Sequence, residues 1–152
     1  MRAALDTKLL AYAEGVNDAH KRASVLALIR ELPPDAIVIP VQALGELFNV
    51  LVRKARRTRR EARDAVLAWR DAFAIAETST EIMLAATDLA ADHQMSIWDA
   101  VMLCAASQSG CRVLLSEELQ HGFTWTGVTI IDPFAYPDHP LMVALMDGND
   151  RN

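Results

Sequence analysis

Ala36-Ile37-Val38-Ile39, followed after Pro40 by Val41-Gln42-Ala43-Leu44-Gly45-Glu46-Leu47-Phe48-Asn49-Val50-Leu51-Val52, decides the class of fold. The first four residues are apolar, and Pro33-Pro34-Asp35 stops whatever precedes them. So short a run between turn signals reads as a strand buried on both faces. The next stretch spaces Leu44, Leu47, Phe48 and Leu51 three and four apart, the repeat of one helical face. A buried strand leading into an amphipathic helix is the repeating unit of a parallel sheet.

The same alternation extends in both directions. Residues 2–6 read as a strand ending in a polar turn. Residues 9–14 and 19–32 read as helices, separated by Gly15-Val16-Asn17-Asp18. Downstream, residues 59–73 predict a helix with Ala62, Val66 and Trp69 inward, and residues 73–77 a short strand. Thr80 is the expected cap of a helix over 80–93, and Ser96 of another over 97–109. Gly110 stands where a helix end favours a left-handed residue. Residues 112–116 and 128–131 complete the strands. The expectation is an α/β domain over residues 1–136, with a mainly parallel sheet covered by helices on both faces. In the tail, 137–152, Leu141, Met142, Leu145 and Met146 recur at helical spacing, as an accessory helix or a partner contact.

Composition narrows the function. The chain has 152 residues, 52% of them hydrophobic, which suffices for one real core. Its apolar runs fall short of the ~20 residues needed to span a bilayer. Asp6 stands where a leader sequence would need apolar residues, so a cytoplasmic location is expected. Cys104 and Cys111 are too few for a disulfide framework or a zinc cluster, and read as reduced, small core residues. A net charge of −5 argues against a protein that coats nucleic acid. One basic run, Arg53-Lys54-Ala55-Arg56-Arg57-Thr58-Arg59-Arg60, is either an RNA-backbone clamp or a solvated helix junction.

Ligands of open α/β sheets bind beyond the carboxyl ends of the strands. Asp6 closes the first strand, and Glu46 lies in the helix after the second. Asp99 lies in the first turn of the helix begun by Ser96, and Glu117-Glu118 follow the strand Val113-Leu114-Leu115. Each acid has a plainer reading. Asp6 suits a helix cap, Asp99 suits the helix dipole, Glu46 a solvated face, and Glu117-Glu118 an acidic turn. Together they bring carboxylates from four segments to one edge. Two such groups ~4 Å apart repel by roughly 4 kcal/mol at an intermediate dielectric. A cation relieves that repulsion. Oxygen ligands without cysteine or histidine favour Mg2+ or Mn2+ over zinc. Such an ion serves phosphodiester hydrolysis by acidifying a bound water and neutralising phosphoryl charge.

At these residues the sequence resembles the PIN-domain family, and within it the VapC-like toxins of type II toxin–antitoxin systems. The resemblance is carried by Leu5-Asp6-Thr7 with Leu9-Leu10-Ala11-Tyr12-Ala13, and by Leu44-Gly45-Glu46-Leu47-Phe48-Asn49-Val50-Leu51. It continues through Ser96-Ile97-Trp98-Asp99-Ala100, Leu114-Leu115-Ser116-Glu117-Glu118-Leu119-Gln120-His121-Gly122 and Ile130-Ile131-Asp132-Pro133-Phe134. The resemblance implies a Rossmann-like three-layer α/β/α sandwich and Mg2+- or Mn2+-dependent endoribonuclease activity. It also implies a homodimer and a small antitoxin partner. It assigns Asp6, Glu46, Asp99 and Glu118 as catalytic acids, with the metal held by these and Glu117. Thr7 and Ser116 fall at polar positions lining the site; with Lys8, Arg56 and Arg57 they form the expected substrate contacts.

Two positions depart from the family pattern. Lys8 replaces a common Asn or Ser, and either pairs with a carboxylate in competition with the metal or binds the scissile phosphate. Glu118 replaces the usual Asp. These departures sustain an alternative, a catalytically weakened PIN-like nucleic-acid-binding or regulatory module. His93 and His121 are not expected to act as bases, and Trp98 is expected to pack at the site wall.

Overall fold

Six strands run through the computed structural model, which describes residues 1–148. They are β1 (Ala3–Leu5), β2 (Ile37–Pro40), β3 (Ala74–Ala76), β4 (Val113–Leu115), β5 (Thr124–Trp125) and β6 (Val128–Ile131). They form one sheet in the order β3-β2-β1-β4-β6-β5, parallel except for β5, which runs antiparallel to β6. Ala4 stands at the centre, opposite Val38 on one side and Leu114 on the other. β1, β2 and β4 are buried at every residue, as their unbroken apolar sequences require.

Among the described residues seven α-helices surround the sheet: α1 (Thr7–Ala13), α2 (Ala19–Glu31), α3 (Val41–Arg53), α4 (Arg59–Ala72), α5 (Thr80–His93), α6 (Ile97–Gln108) and α7 (Pro140–Met146). From β1 the chain steps to β2 and then β3, towards one edge, with α1–α2 and α3–α4 as the connections. It then crosses back through α5–α6 and lays β4 on the other side of β1. Right-handed crossovers in opposite directions put their helices on opposite faces of the sheet, which makes the domain three-layered. They also make the β1–β4 junction the point where strand order reverses, and a crevice opens there beyond the strand ends.

Of the residues expected to face inward, Leu44, Leu47, Leu51, Ala62 and Trp69 are buried, whereas Phe48 and Val66 are only partly so. Leu9 and Leu10 of α1, Leu47 and Leu51 of α3 and Leu103 of α6 are fully buried, along with Leu5, Ile37, Ile39, Leu114 and Ile130 of the strands. α7 closes the described chain by burying Met142 and Leu145 in the same cluster. Residues 149–152 of the anticipated tail lie outside the described residues.

Local chemistry corrects several boundaries. α1 starts at Thr7 rather than residue 9, because the Asp6 side chain caps it. The cap of α5 is Ser79, whose hydroxyl accepts from the Ile82 N–H, and not Thr80, which is the first helical residue. Ser96 does precede α6, but its side chain makes no capping hydrogen bond. α4 has a full capping box, with Thr58 and Glu61 satisfying each other's backbone N–H. β5 is an unanticipated strand. Thr126 and Gly127, at φ +48° and +82°, form the tight turn between Trp125 and Val128, and two consecutive positive φ values mark a twisted two-residue hairpin. Trp125 thus belongs to a sheet edge.

Candidate active site

Asp6 is the first residue beyond β1, and its N–H bonds the Leu115 carbonyl of β4 at 3.0 Å. The carboxylate is buried. Oδ1 accepts the Thr7 N–H at 2.6 Å, and Oδ2 accepts the hydroxyl of fully buried Ser116 at 2.7 Å. The cap therefore occupies one oxygen, while the other faces β4. Burial raises its pKa to about 6, against the lowering effect of those two hydrogen bonds; the charges of Glu46 and Glu118 raise it further.

Glu46 is held from both sides. Thr7 Oγ1 donates to Oε2 at 2.6 Å, and Gln42 Nε2 donates to Oε1 at 2.6 Å. Gln42 also reaches the Trp98 carbonyl at 3.2 Å, which ties α3 to the start of α6. The Asp99 pKa is raised, first by partial burial and then by the charges of Glu46 and Glu118.

Asp6, Glu46, Asp99 and Glu118 line one cleft of about 190 Å³, with Thr7, Lys8, Tyr12, Asn17 and Lys54 on its walls. Four of the five acids expected at a metal site are thus brought together. The fifth is not: Glu117 is absent from this lining and is clasped by Lys21 and by the Tyr12 hydroxyl, the latter at 2.6 Å. Burial alone would raise its pKa, but the bonds from Lys21 and Tyr12 and the Lys21 and Lys8 charges outweigh it, and the net shift is downward. Lys8 bonds Glu118 Oε1 at 3.0 Å and lies 3.7 Å from Glu117. Among the described residues, no three acids, histidines or cysteines are gathered as a ready-made metal cage.

Of the basic residues expected to contact substrate, Arg57 is engaged away from the cleft. It bonds the Glu14 carboxylate at 2.9 Å and the Glu14 carbonyl at 2.6 Å, and Trp69 Nε1 reaches the same carboxylate at 2.8 Å. Arg56 is exposed at φ +53° and lines no part of the cleft. Lys54 of the same run does line it. A helical signal for it existed, since Glu46, Val50 and Lys54 recur four apart; Gln42, four before Glu46, extends the row. Tyr12 and Lys21 had no such signal, because their place depends on how α1 and α2 pack.

Trp98 does not pack at the wall: its side chain is 55% exposed. His121 stacks on Tyr136 at 3.7 Å and accepts the Asp132 N–H, while His93 meets the Phe123 ring edge-on. Both therefore have structural partners. Cys104 and Cys111 are buried and unbridged, and burial pushes each thiol up to about 11. No described helix is long and apolar enough to cross a membrane.

A parallel sheet with acids gathered at its reversal point defines a class of α/β domain that places its chemistry at the strand ends. This chain belongs to the PIN-domain family, whose profile matches residues 3–120. Solved structures with the same fold include the Mycobacterium tuberculosis toxin VapC20, which cleaves the sarcin–ricin loop. It is 20% identical, with a TM-score of 0.62 over 74% of this chain and 86% of that one. A toxin–antitoxin complex from Klebsiella pneumoniae is 20% identical, with a TM-score of 0.60 over 84% and 95% of the two chains. VapBC2 of Rickettsia felis, bound to a promoter DNA fragment, is 12% identical, with a TM-score of 0.61 over 86% and 97%. No curated protein matches the sequence.

Proposed function

We propose that this protein is a Mg2+- or Mn2+-dependent endoribonuclease, the toxin of a toxin–antitoxin pair. The carrying observation is the convergence of Asp6, Glu46, Asp99 and Glu118 on one cleft at the β1–β4 reversal of a PIN domain. The donor set fits a hard divalent cation. It is all oxygen, and among the described residues none of Asp6, Glu46 and Asp99 is paired with a lysine or arginine. Asp6, Glu46 and Asp99 would hold the ion. When bound, such an ion supplies an acidified water to attack the phosphodiester and offsets the charge that builds on phosphorus oxygens.

The rest of the work falls to the chain itself. Ser116 and the Thr7 N–H fix Asp6, while Thr7 Oγ1 and Gln42 fix Glu46, so the acids are pre-aimed rather than loose. Lys54 brings positive charge to the cleft wall, suited to the RNA backbone. Arg56 remains a candidate for a more distant backbone contact. A small antitoxin, a homodimer and a cytoplasmic setting complete the reading, with the solved toxin–antitoxin assemblies of this fold in support.

The test is cleavage of total RNA with Mg2+ and then Mn2+, native chain against Asp99→Asn. Metal-dependent cuts that vanish in the variant are expected, and intact RNA under every condition counts against the proposal. The Lys8–Glu118 pair favours a second reading, a non-catalytic nucleic-acid-binding module. Retained RNA binding without cleavage, with cleavage gained on Lys8→Asn, would select it.

A further inference from the structure

Lys8 stands where the family pattern leads one to expect a small neutral side chain, and its surroundings show what it does there. Its ammonium bonds Glu118 Oε1 at 3.0 Å and lies 3.7 Å from Glu117 Oε2. Glu117 is already held by Lys21 and Tyr12, so it leaves Lys8 to Glu118. Four carboxylates (Asp6, Glu46, Asp99, Glu118) and two ammonium groups (Lys8, Lys54) line this cleft, a surplus of two negative charges. One divalent ion neutralises that surplus. A second would leave the cleft positive and would stand beside an ammonium that repels it.

We propose that Lys8 makes this a one-ion site, its ammonium serving Glu118 as the cation that a second divalent ion would otherwise supply. The inference rests on the metal-dependent reading of the site and deepens it. Asp6, Glu46 and Asp99 are left for the single ion. None of these three is paired with a lysine or arginine among the described residues, whereas Glu118 is. Sequence position alone could not decide between a competitor for metal and a phosphate ligand. The observed partner of Lys8 is a carboxylate, and that favours the first role in a specific form: it competes for one ion place and leaves the other open.

The experiment counts ions rather than turnover. Chelator-stripped protein is titrated with Mn2+, and free Mn2+ is read by electron paramagnetic resonance for the native chain, Lys8→Met and Lys8→Arg. Lys8 is partly exposed on a short helix, and a thermal melt checks that each variant is folded. One ion per chain is expected in the native protein and in Lys8→Arg, and a doubling to two in Lys8→Met. Two ions in the native chain, or one in Lys8→Met, overturns the inference. RNA cleavage with Mn2+ in the same samples separates that result from the functional reading: cutting by a native two-ion protein keeps the nuclease and discards the role of Lys8. No ion bound in any folded variant discards both.

Discussion

Asp6 is the residue whose behaviour is most sharply determined. Its carboxyl titrates at about 6 in the fold, against 3.8 for the ordinary group. A raised acid pKa means that the folded state holds its proton more tightly than the unfolded chain. Stability without metal therefore falls as pH rises from about 4 through about 6, then levels off. At ~1.4 kcal/mol for each tenfold change, the cost above pH 6 is about 3 kcal/mol. Asp6→Asn keeps the shape and removes the charge. In chelator it should raise the melting temperature at pH 8 and change it little at pH 4, with RNA cleavage lost throughout. An equal gain at both pH values would place the strain elsewhere. The sequence does not show that Glu117 turns away to Lys21 and Tyr12, but the place of Asp6 and Glu118 was legible, because an acid just after a buried strand lies at the strand's carboxyl end. Their partners were not. Ser116 meets Asp6 across 110 positions and Tyr12 meets Glu117 across 105, contacts that only the sheet order creates.

The elements were legible wherever hydrophobic period alone decided them. The alternation of short buried strands and long amphipathic helices returned β1 to β4, β6 and all the major helices to within a few residues. Boundaries were harder, because neighbouring hydroxyls compete for one cap. The structure gives the cap of α5 to Ser79 and leaves Thr80 helical. Ser79→Ala should cost about 1 kcal/mol in chemical denaturation, whereas Thr80→Ala should change stability by no more than a few tenths in either direction. The reverse order would restore the sequence-based assignment. Thr58→Ala, which removes the hydroxyl that accepts the Glu61 N–H in the α4 capping box, should cost roughly 0.5–2 kcal/mol. Ser96→Ala should be close to silent, since no capping bond is lost. β5 escaped notice because two residues carry no periodicity. Its one clue was Thr126-Gly127, and a Thr at positive φ is not a common turn signal.

For the whole molecule, a single core joins both helical layers to the sheet, and a cavity in it is felt everywhere. Leu103, fully buried in α6, is a suitable probe. Leu103→Ala should destabilise the protein by about 2–5 kcal/mol in urea, a large share of the roughly 5–15 kcal/mol that holds a domain together. A loss under ~1 kcal/mol would mean that the two layers unfold independently. Glu14 is a second point of assembly. It gathers Arg57 and Trp69 onto the end of α1, and so fixes the basic segment by structure rather than by substrate. A charge run in sequence cannot distinguish those uses, since both ask only for arginine.

The floor of the cleft is laced directly into the sheet. The Asp6 amide is bonded to Leu115, and the Ser116 amide to Ile131, so β1, β4 and β6 are joined at the level of the acids. Protons on those two amides can leave only when the strands part. In deuterated buffer they should exchange among the slowest in the chain, at the rate of global unfolding. A site founded this way cannot be silenced by a gentle loosening of its base. Under the proposed function, control has to come from above, by something that covers the mouth or removes the ion, and the protein left behind stays poised to work again.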